Sequence, residues 1–172
     1  MAGSTSAPEE GAPAPVERAL ASLAEQVEAI DALIDRARSR LRVFDTDLSQ
    51  GGWSEAQRAD RLIAFFRRAR GARLDVIVHD TRWLERSCPR IVALLKTWGH
   101  ATTVFRTGPE ARHAMDPLTI ADDRHYLHRF HVDGLRATLA FDSPAATRPL
   151  VERFDEIWAT GEPGLTGTVL GL

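Results

Sequence analysis

Three short strand-like segments, separated by two longer amphipathic ones, constrain this fold more than any other feature of the sequence. Residues 41–48 alternate as a strand does, residues 74–79 are a short apolar run typical of a buried strand, and residues 102–106 are the third segment. Between them, residues 54–71 and 81–99 carry apolar side chains at helical spacing. This order of strand, helix, strand, helix, strand predicts parallel neighbouring strands joined by right-handed crossover helices.

The last third of the chain has a different pattern. Residues 118–121, 126–132 and 137–141 are three further strand-like segments. They are too close together for crossover helices, so antiparallel pairing is expected. Helices are predicted before and after the strands, over residues 16–40 and 143–158. The predicted fold is therefore α/β, with a mixed sheet flanked by helices.

Composition divides the chain into one domain and two tails. Residues 1–15 are rich in alanine, proline, glycine and serine, which predicts a disordered tail. Residues 16–160 carry all the periodic segments and are predicted to form a single domain. Residues 161–172 are rich in glycine, and we expect a weakly structured C-terminal tail there.

Charge and hydropathy bear on partners and location. The formal net charge is −2 and the pI is near 6.3, which disfavours nucleic acid as a partner and gives no reason to expect an anionic membrane. The sequence contains no apolar segment long enough to span a bilayer and no secretory signal, so a cytoplasmic location is expected. The single cysteine, Cys88, cannot form an internal disulfide and is predicted to be a buried thiol. Motifs for nucleotide cofactors are absent from the sequence, so no cofactor is predicted.

Three of the six histidines lie within seven residues, His125, His128 and His131, and Asp133-Gly134 follows them as a predicted hairpin turn. In a strand, alternate side chains share a face, so His125, His131 and Asp133 would project to one side and His128 to the other. A carboxylate beside His131 would orient its imidazole for acid–base or nucleophilic chemistry. Structural histidines held by hydrogen bonds are the alternative.

The histidines of this segment are not expected to form a metal site by themselves. Side chains two residues apart on one strand are about 6 to 7 Å apart, too far for His125, His131 and Asp133 to ligate a single ion, and no metal is predicted. Asp45, Asp47 and Asp80 follow the first two predicted strands, where α/β sheets place ligands. They could form an acidic pocket or, as helix and turn caps, have a structural role.

The last strand pair, its Asp-Gly turn and the final helix resemble the half-domain of the phospholipase D superfamily. The family motif is His-x-Lys-x4-Asp, in which the histidine attacks a phosphodiester and the lysine neutralises charge. Counting back from Asp133 places Tyr126 at the histidine position and His128 at the lysine position, while the aspartate and Gly134 match. The chain is thereby identified as a degenerate single-motif member of the superfamily.

A second resemblance is to an uncharacterised group of bacterial domains, sometimes fused to N-acyltransferases. It rests on two runs of sequence, residues 112–117 (Arg-His-Ala-Met-Asp-Pro) and 125–131 (His-Tyr-Leu-His-Arg-Phe-His). Nothing in this chain corresponds to the acyltransferase itself.

The altered motif implies loss of phosphodiesterase activity, because a tyrosine has a pKa of about 10 and stays protonated near neutral pH. The leading hypothesis is a non-catalytic module that binds an anionic ligand or a protein partner through a His/Arg-lined crevice. The predicted lining is Arg112, His113, His125, Tyr126, His128, Arg129, His131 and Asp133. One alternative is a phosphodiesterase or metal-assisted hydrolase that uses His128, His131 and Asp133; another is a structural protein that forms a homodimer.

Overall fold

The computed structural model describes residues 11–166, which form one eight-stranded sheet with helices on both faces. The strands are β1 (Val16–Leu20), β2 (Arg40–Asp45), β3 (Arg73–Val78), β4 (Thr102–Arg106), β5 (Leu118–Ala121), β6 (His125–Arg129), β7 (Ala137–Phe141) and β8 (Glu162–Leu165). The helices are α1 (Leu23–Arg36), α2 (Ala56–Arg68), α3 (Arg82–Ser87), α4 (Pro89–Trp98) and α5 (Pro144–Ala159). None of these helices is long and apolar enough to cross a lipid bilayer.

The sheet order is β1-β7-β6-β5-β2-β3-β4-β8, and it confirms the predicted mixed sheet. Strands β2, β3 and β4 are parallel, whereas β5, β6 and β7 pair in antiparallel fashion, with β5 against β2. All three parallel strands finish at the same edge of the sheet, which we call the carboxyl edge. The opposite edge, where they begin, is the amino edge.

Each face of the sheet has its own hydrophobic core. Alternate residues of β2 and β3, such as Val43 and Val76, face helices α1, α2 and α4 in the larger core. The intervening residues, such as Phe44 and Ile77, face α5 in a smaller core. Helix α5, the loop before β5 and the loop after β6 shape the carboxyl edge, whereas the turn between β5 and β6 lies at the amino edge.

Two terminal segments differ from the sequence prediction. Residues 16–20 were predicted as the start of a helix, yet they form β1, antiparallel to β7. Ser22 caps α1 with a reciprocal capping box to Glu25, so the helix cannot begin earlier. Residues 162–165 were predicted to be weakly structured, yet they form β8 against β4. Residues 1–10 and 167–172 of the two predicted tails lie outside the described residues.

The histidine hairpin also differs from the prediction. Strand β6 ends at Arg129, and residues 130–136 form a loop rather than a tight two-residue turn at Asp133-Gly134. The guanidinium of Arg129 donates to the carbonyls of Val132 and Gly134, so this loop is folded around a buried arginine. His131 and Asp133 therefore lie on a loop, and the predicted strand-face alternation does not apply to them.

Candidate functional site at the carboxyl edge

The carboxyl edge is built where β2, β3 and β4 end and where the loop of residues 107–117 crosses over them. His79, directly after β3, fixes this loop: its Nδ1 lies 2.7 Å from Thr107 Oγ1 and its Nε2 lies 2.6 Å from the Ala114 carbonyl oxygen. The ring also packs edge-on against Phe44 at 5.4 Å. His79 is thus occupied in positioning the loop, a role that the sequence did not indicate.

His128 forms a half-buried ion-pair cluster with Asp116 and Arg153. The His128 Nε2 lies 3.0 Å from Asp116 Oδ2, and Arg153 donates to both oxygens of the same carboxylate, at 2.7 Å from Nε to Oδ2. Partial burial alone would raise the pKa of Asp116, but these hydrogen bonds hold it at about 2. The positive charge that His128 would carry when protonated is therefore balanced inside the protein.

Tyr126, which the sequence motif aligns with the histidine of the phospholipase D superfamily, is buried, with 7% of its surface exposed. It belongs to the smaller core, together with Phe44, Ile120 and Phe154. Burial raises the pKa of its hydroxyl above the ordinary value, with a further contribution from Glu17. A buried, protonated phenol at this position cannot serve as a nucleophile near neutral pH.

Arg129 lies on the opposite face of β6 from Tyr126 and His128, and 5% of its surface is exposed. Besides its two carbonyl partners in the 130–136 loop, its Nη1 donates to Gln50 Oε1 at 2.6 Å. With Gln50 and Asp45 it lines a cavity of about 30 Å³, enough for a single water molecule. Arg129 is therefore a structural residue that is not free to hold a ligand at the surface.

The acidic residues at the ends of β2 and β3 do not form one pocket. Burial raises the pKa of Asp45 to about 6, assisted by the nearby charge of Asp47. Asp80 is instead half-buried, and hydrogen bonds from Arg82 lower its pKa to about 2. Asp80 also accepts from the Arg82 backbone N–H two residues on, an Asx turn before α3 that agrees with the turn-cap alternative. No group of three or more His, Cys, Asp or Glu residues within 11–166 could hold a metal ion.

His125 lies at the opposite end of β6, four residues and about 13 Å from Arg129. It is buried at the amino edge, where its Nδ1 accepts a hydrogen bond from the Asp142 backbone N–H at 2.9 Å. Burial lowers the pKa of His125, which keeps it neutral. It cannot share a crevice with His128.

Four of the predicted lining residues are exposed around the carboxyl edge: Arg112, His113, His131 and Asp133. Arg112 Nε donates to the Thr107 carbonyl at 3.2 Å, and the His131 Nδ1 accepts from the Asp133 backbone N–H at 3.1 Å. The eight predicted residues thus lie on both faces and at both edges of the sheet, and they do not line one crevice. The sequence prediction omitted Asp116 and Arg153. Asp116 belongs to the Arg-His-Ala-Met-Asp-Pro segment, residues 112–117, which was the available signal.

The overall architecture is that of the phospholipase D-like fold. Nuc from Salmonella typhimurium, a phospholipase D family member, superposes with a TM-score of 0.63 at 14% identity, over 89% of this chain and all of Nuc. NucT from Helicobacter pylori superposes with a TM-score of 0.57 at 11% identity, over 88% of this chain and all of NucT. At such identities the likeness establishes the fold alone.

The chain itself belongs to the family described as a domain of unknown function, DUF7931, whose model matches residues 22–166. No curated protein matches the sequence.

The archaeal chromatin protein TrmBL2 corrects one prediction about partners. It superposes with a TM-score of 0.64 at 13% identity over 94% of this chain, and this chain spans 56% of TrmBL2. TrmBL2 is described as showing a novel mode of DNA binding. The sequence prediction that nucleic acid is a disfavoured partner is therefore wrong, because this fold occurs in a DNA-binding protein. The prediction used the net charge alone, which says nothing of where on the surface the charges lie.

Proposed function

We propose that this chain is a non-catalytic phospholipase D-like module that binds an anionic ligand at the carboxyl edge. The observation that carries the proposal is Tyr126, which replaces the attacking histidine and is buried in the smaller core. The neighbouring substitution agrees with it, since His128 is bound to Asp116. In the phospholipase D superfamily these two positions perform the chemistry, whereas here Tyr126 packs in the core and His128 forms an ion pair.

Ligand binding is assigned to the exposed residues Arg112, His113 and His131. Arg112 uses only its Nε in a hydrogen bond within residues 11–166, so both Nη groups can donate to a phosphate or carboxylate. Arg153 is 38% exposed in its side chain and lies at the same edge, although its charge is shared with Asp116. As part of this proposal we retain a cytoplasmic location.

Hydrolysis of bis(4-nitrophenyl) phosphate tests the non-catalytic part of the proposal. We expect the purified protein to give no turnover above that of His128→Ala, because no described residue stands as a free nucleophile at the motif position. Turnover that His128→Ala or His131→Ala abolishes would establish a hydrolase and overturn the proposal.

Ligand binding is tested by titrating inorganic phosphate and following backbone amide resonances by NMR. We expect shifts at Arg112, His113 and His131 that Arg112→Gln reduces, because the two free Nη groups are lost. Arg90→Gln, an exposed arginine on α4, is the matched control and should leave the titration unchanged. Shifts that persist in Arg112→Gln would reject this binding site.

Homodimer formation is a second candidate function, and a specific feature of the surface favours it. Within residues 11–166, three of the four exposed large hydrophobic side chains, Met115, Phe130 and Leu135, belong to the two loops at the carboxyl edge. These loops are joined by a hydrogen bond of 2.7 Å from the Val132 N–H to the Met115 carbonyl. An apolar group of this kind, flanked by Arg136, is typical of a protein interface.

A further inference from the structure

The amino edge of the sheet, opposite the proposed ligand site, carries a concentration of basic residues. Helices α1, α2 and α4 all end there and β2 and β3 begin there, so each contributes the cations of a helix end or a strand start. These residues are Arg36, Arg38, Arg40, Arg67, Arg68, Arg70, Arg73, Lys96 and His100. Asp122, Asp123 and Asp142 lie at the same edge beside Arg40, Arg42 and Arg124, so the excess of positive charge lies toward the ends of α2 and α4.

Within this edge, the ends of α2 and α4 enclose a groove of about 360 Å³, which we call the α2/α4 groove. Its lining is Phe66, Arg67, Ala69, Arg70, Gly71, Ala72, Arg73, Trp98, His100 and Ala101. The lining includes three arginines and a histidine but no aspartate or glutamate. A concave surface lined by one sign of charge focuses the electric field and attracts an anion.

The cations of the α2/α4 groove are largely unneutralised. Arg67 and Arg70 are exposed, and neither forms an ion pair with a carboxylate within residues 11–166. Arg73 does pair with Asp75 at 3.2 Å, but Asp75 is shared with Arg40, so one carboxylate balances two guanidinium groups. Excess positive charge therefore remains at the surface of the groove.

An aromatic surface adjoins these cations. Trp98 stacks on Phe66 with ring centroids 5.1 Å apart and an interplanar angle of 12°, and His100 lies 5.9 Å from Trp98. Phe66 is buried, Trp98 is half-buried and His100 is exposed, so the stack leads from the core to solvent. Planar rings beside a row of arginines are the arrangement that binds unpaired bases and their phosphates together.

We propose that the α2/α4 groove binds single-stranded nucleic acid. Arg67, Arg70 and Arg73 contact successive phosphates, and a base stacks on His100 and the accessible part of Trp98. A lipid surface fits less well, because the exposed large hydrophobic side chains, Val16, Met115, Phe130 and Leu135, all lie outside the groove lining. A duplex fits less well because its bases are already stacked and paired.

Fluorescence anisotropy with a labelled oligothymidylate tests this proposal. We expect the full chain to bind, and Arg67→Gln/Arg70→Gln to weaken binding by at least about tenfold and to reduce the slope of log affinity against log salt by roughly 1.4, about 0.7 for each lost phosphate contact. The control Arg86→Gln/Arg90→Gln removes the same charge from exposed positions on α3 and α4 and should retain wild-type binding.

Base stacking is tested on the unaltered protein, which avoids any effect of a substitution on folding. An abasic chain of equal length should bind about tenfold more weakly than oligothymidylate, since it offers phosphates without rings. Absence of oligonucleotide binding, equal affinity for the abasic chain, or an equal loss in the Arg86/Arg90 control would each overturn the proposal. Binding to vesicles of phosphatidylcholine and phosphatidylserine, measured by sedimentation, without any binding of the oligonucleotide would also overturn the proposal. The Arg112→Gln variant should bind the oligonucleotide as the wild type does, because Arg112 lies at the carboxyl edge. The phosphate titration and the oligonucleotide titration therefore test separate sites, and either proposal can fail without the other.

Discussion

Asp45 illustrates how burial, rather than residue type, sets the chemistry of a single side chain here. It ends β2 beside the cavity shared with Gln50 and Arg129, and its pKa is raised to about 6. The sequence identified Asp45 as a candidate acid at a strand end, but could not distinguish a buried carboxyl from an exposed one. Asp80, two residues after the end of β3, has a pKa of about 2 because Arg82 folds back onto it.

Because the folded-state pKa of Asp45 lies above its unfolded value, the folded protein binds the extra proton between about pH 4 and 6. The contribution of Asp45 to stability is therefore present below this window and lost as the pH rises through it. We expect Asp45→Asn to remove this dependence and to be more stable than wild type by about 1 to 3 kcal/mol above pH 7, at 1.36 kcal/mol per pKa unit.

Urea unfolding of both proteins across that pH range measures the difference. Asp133→Asn is the control, since its carboxylate is 89% exposed on the 130–136 loop, and it should change stability by less than about 0.5 kcal/mol. If Asp45→Asn and wild type lost stability in parallel, the assignment of the pH dependence to Asp45 would be incorrect.

At the scale of elements, Arg58 joins α1 to α2. Its side chain is 1% exposed and donates to Asp31 on α1, to the Val27 carbonyl and to the Gly51 carbonyl, at 2.8, 3.2 and 2.8 Å. The guanidinium also lies 4.7 Å from the Trp53 ring. Helix α2 begins after Glu55 without a side-chain cap. Contacts made by Arg58 with distant residues hold this end of α2 in place.

Replacing Arg58 with methionine keeps much of the volume and removes all three donors. We expect a loss of about 3 to 5 kcal/mol in the free energy of unfolding, because Asp31 and two carbonyls are left without their partner. Arg61→Met, one turn along α2 with a 36% exposed side chain paired to Asp35, should cost less than about 1 kcal/mol. Equal losses in urea unfolding would show that burial of the Arg58 network contributes nothing.

At the scale of the whole molecule, the sheet separates two surfaces of different character. The carboxyl edge combines exposed apolar loops with Arg112, His113 and His131, and the amino edge carries the α2/α4 groove. Because the two edges lie at opposite ends of the parallel strands, a ligand at one leaves the other accessible. This arrangement suits a module that joins two partners.

The dimer alternative concerns the whole molecule and is tested by its mass in solution. If the apolar loops pair two copies, light scattering should give twice the mass of 19.0 kDa, and Phe130→Ser/Leu135→Ser should restore the monomer because it removes the exposed apolar area. Val16→Ser, which alters an exposed apolar residue on β1, is the control. A monomeric wild-type protein would reject the dimer.

The sequence by itself determined the order of strands β2 to β7 and the mixed sheet, because periodicity is a local property. Strand β4 follows the prediction closely, since a β-branched run acts within a few residues. Strands β1 and β8 were missed because each is held by pairing with a strand distant in sequence, not by its own pattern.

Only the tertiary structure decided what the histidines do. The same short run places His125 at the amino edge, His128 against Asp116 and His131 on an exposed loop. The partners of His125 and His128 are Asp142, directly after β7, and Asp116 in the 107–117 loop, so the roles of these two rings depend on long-range packing that no local spacing encodes. The basic residues at residues 67–73 were visible in the sequence, but the groove required α4 to bring Trp98 and His100 beside them.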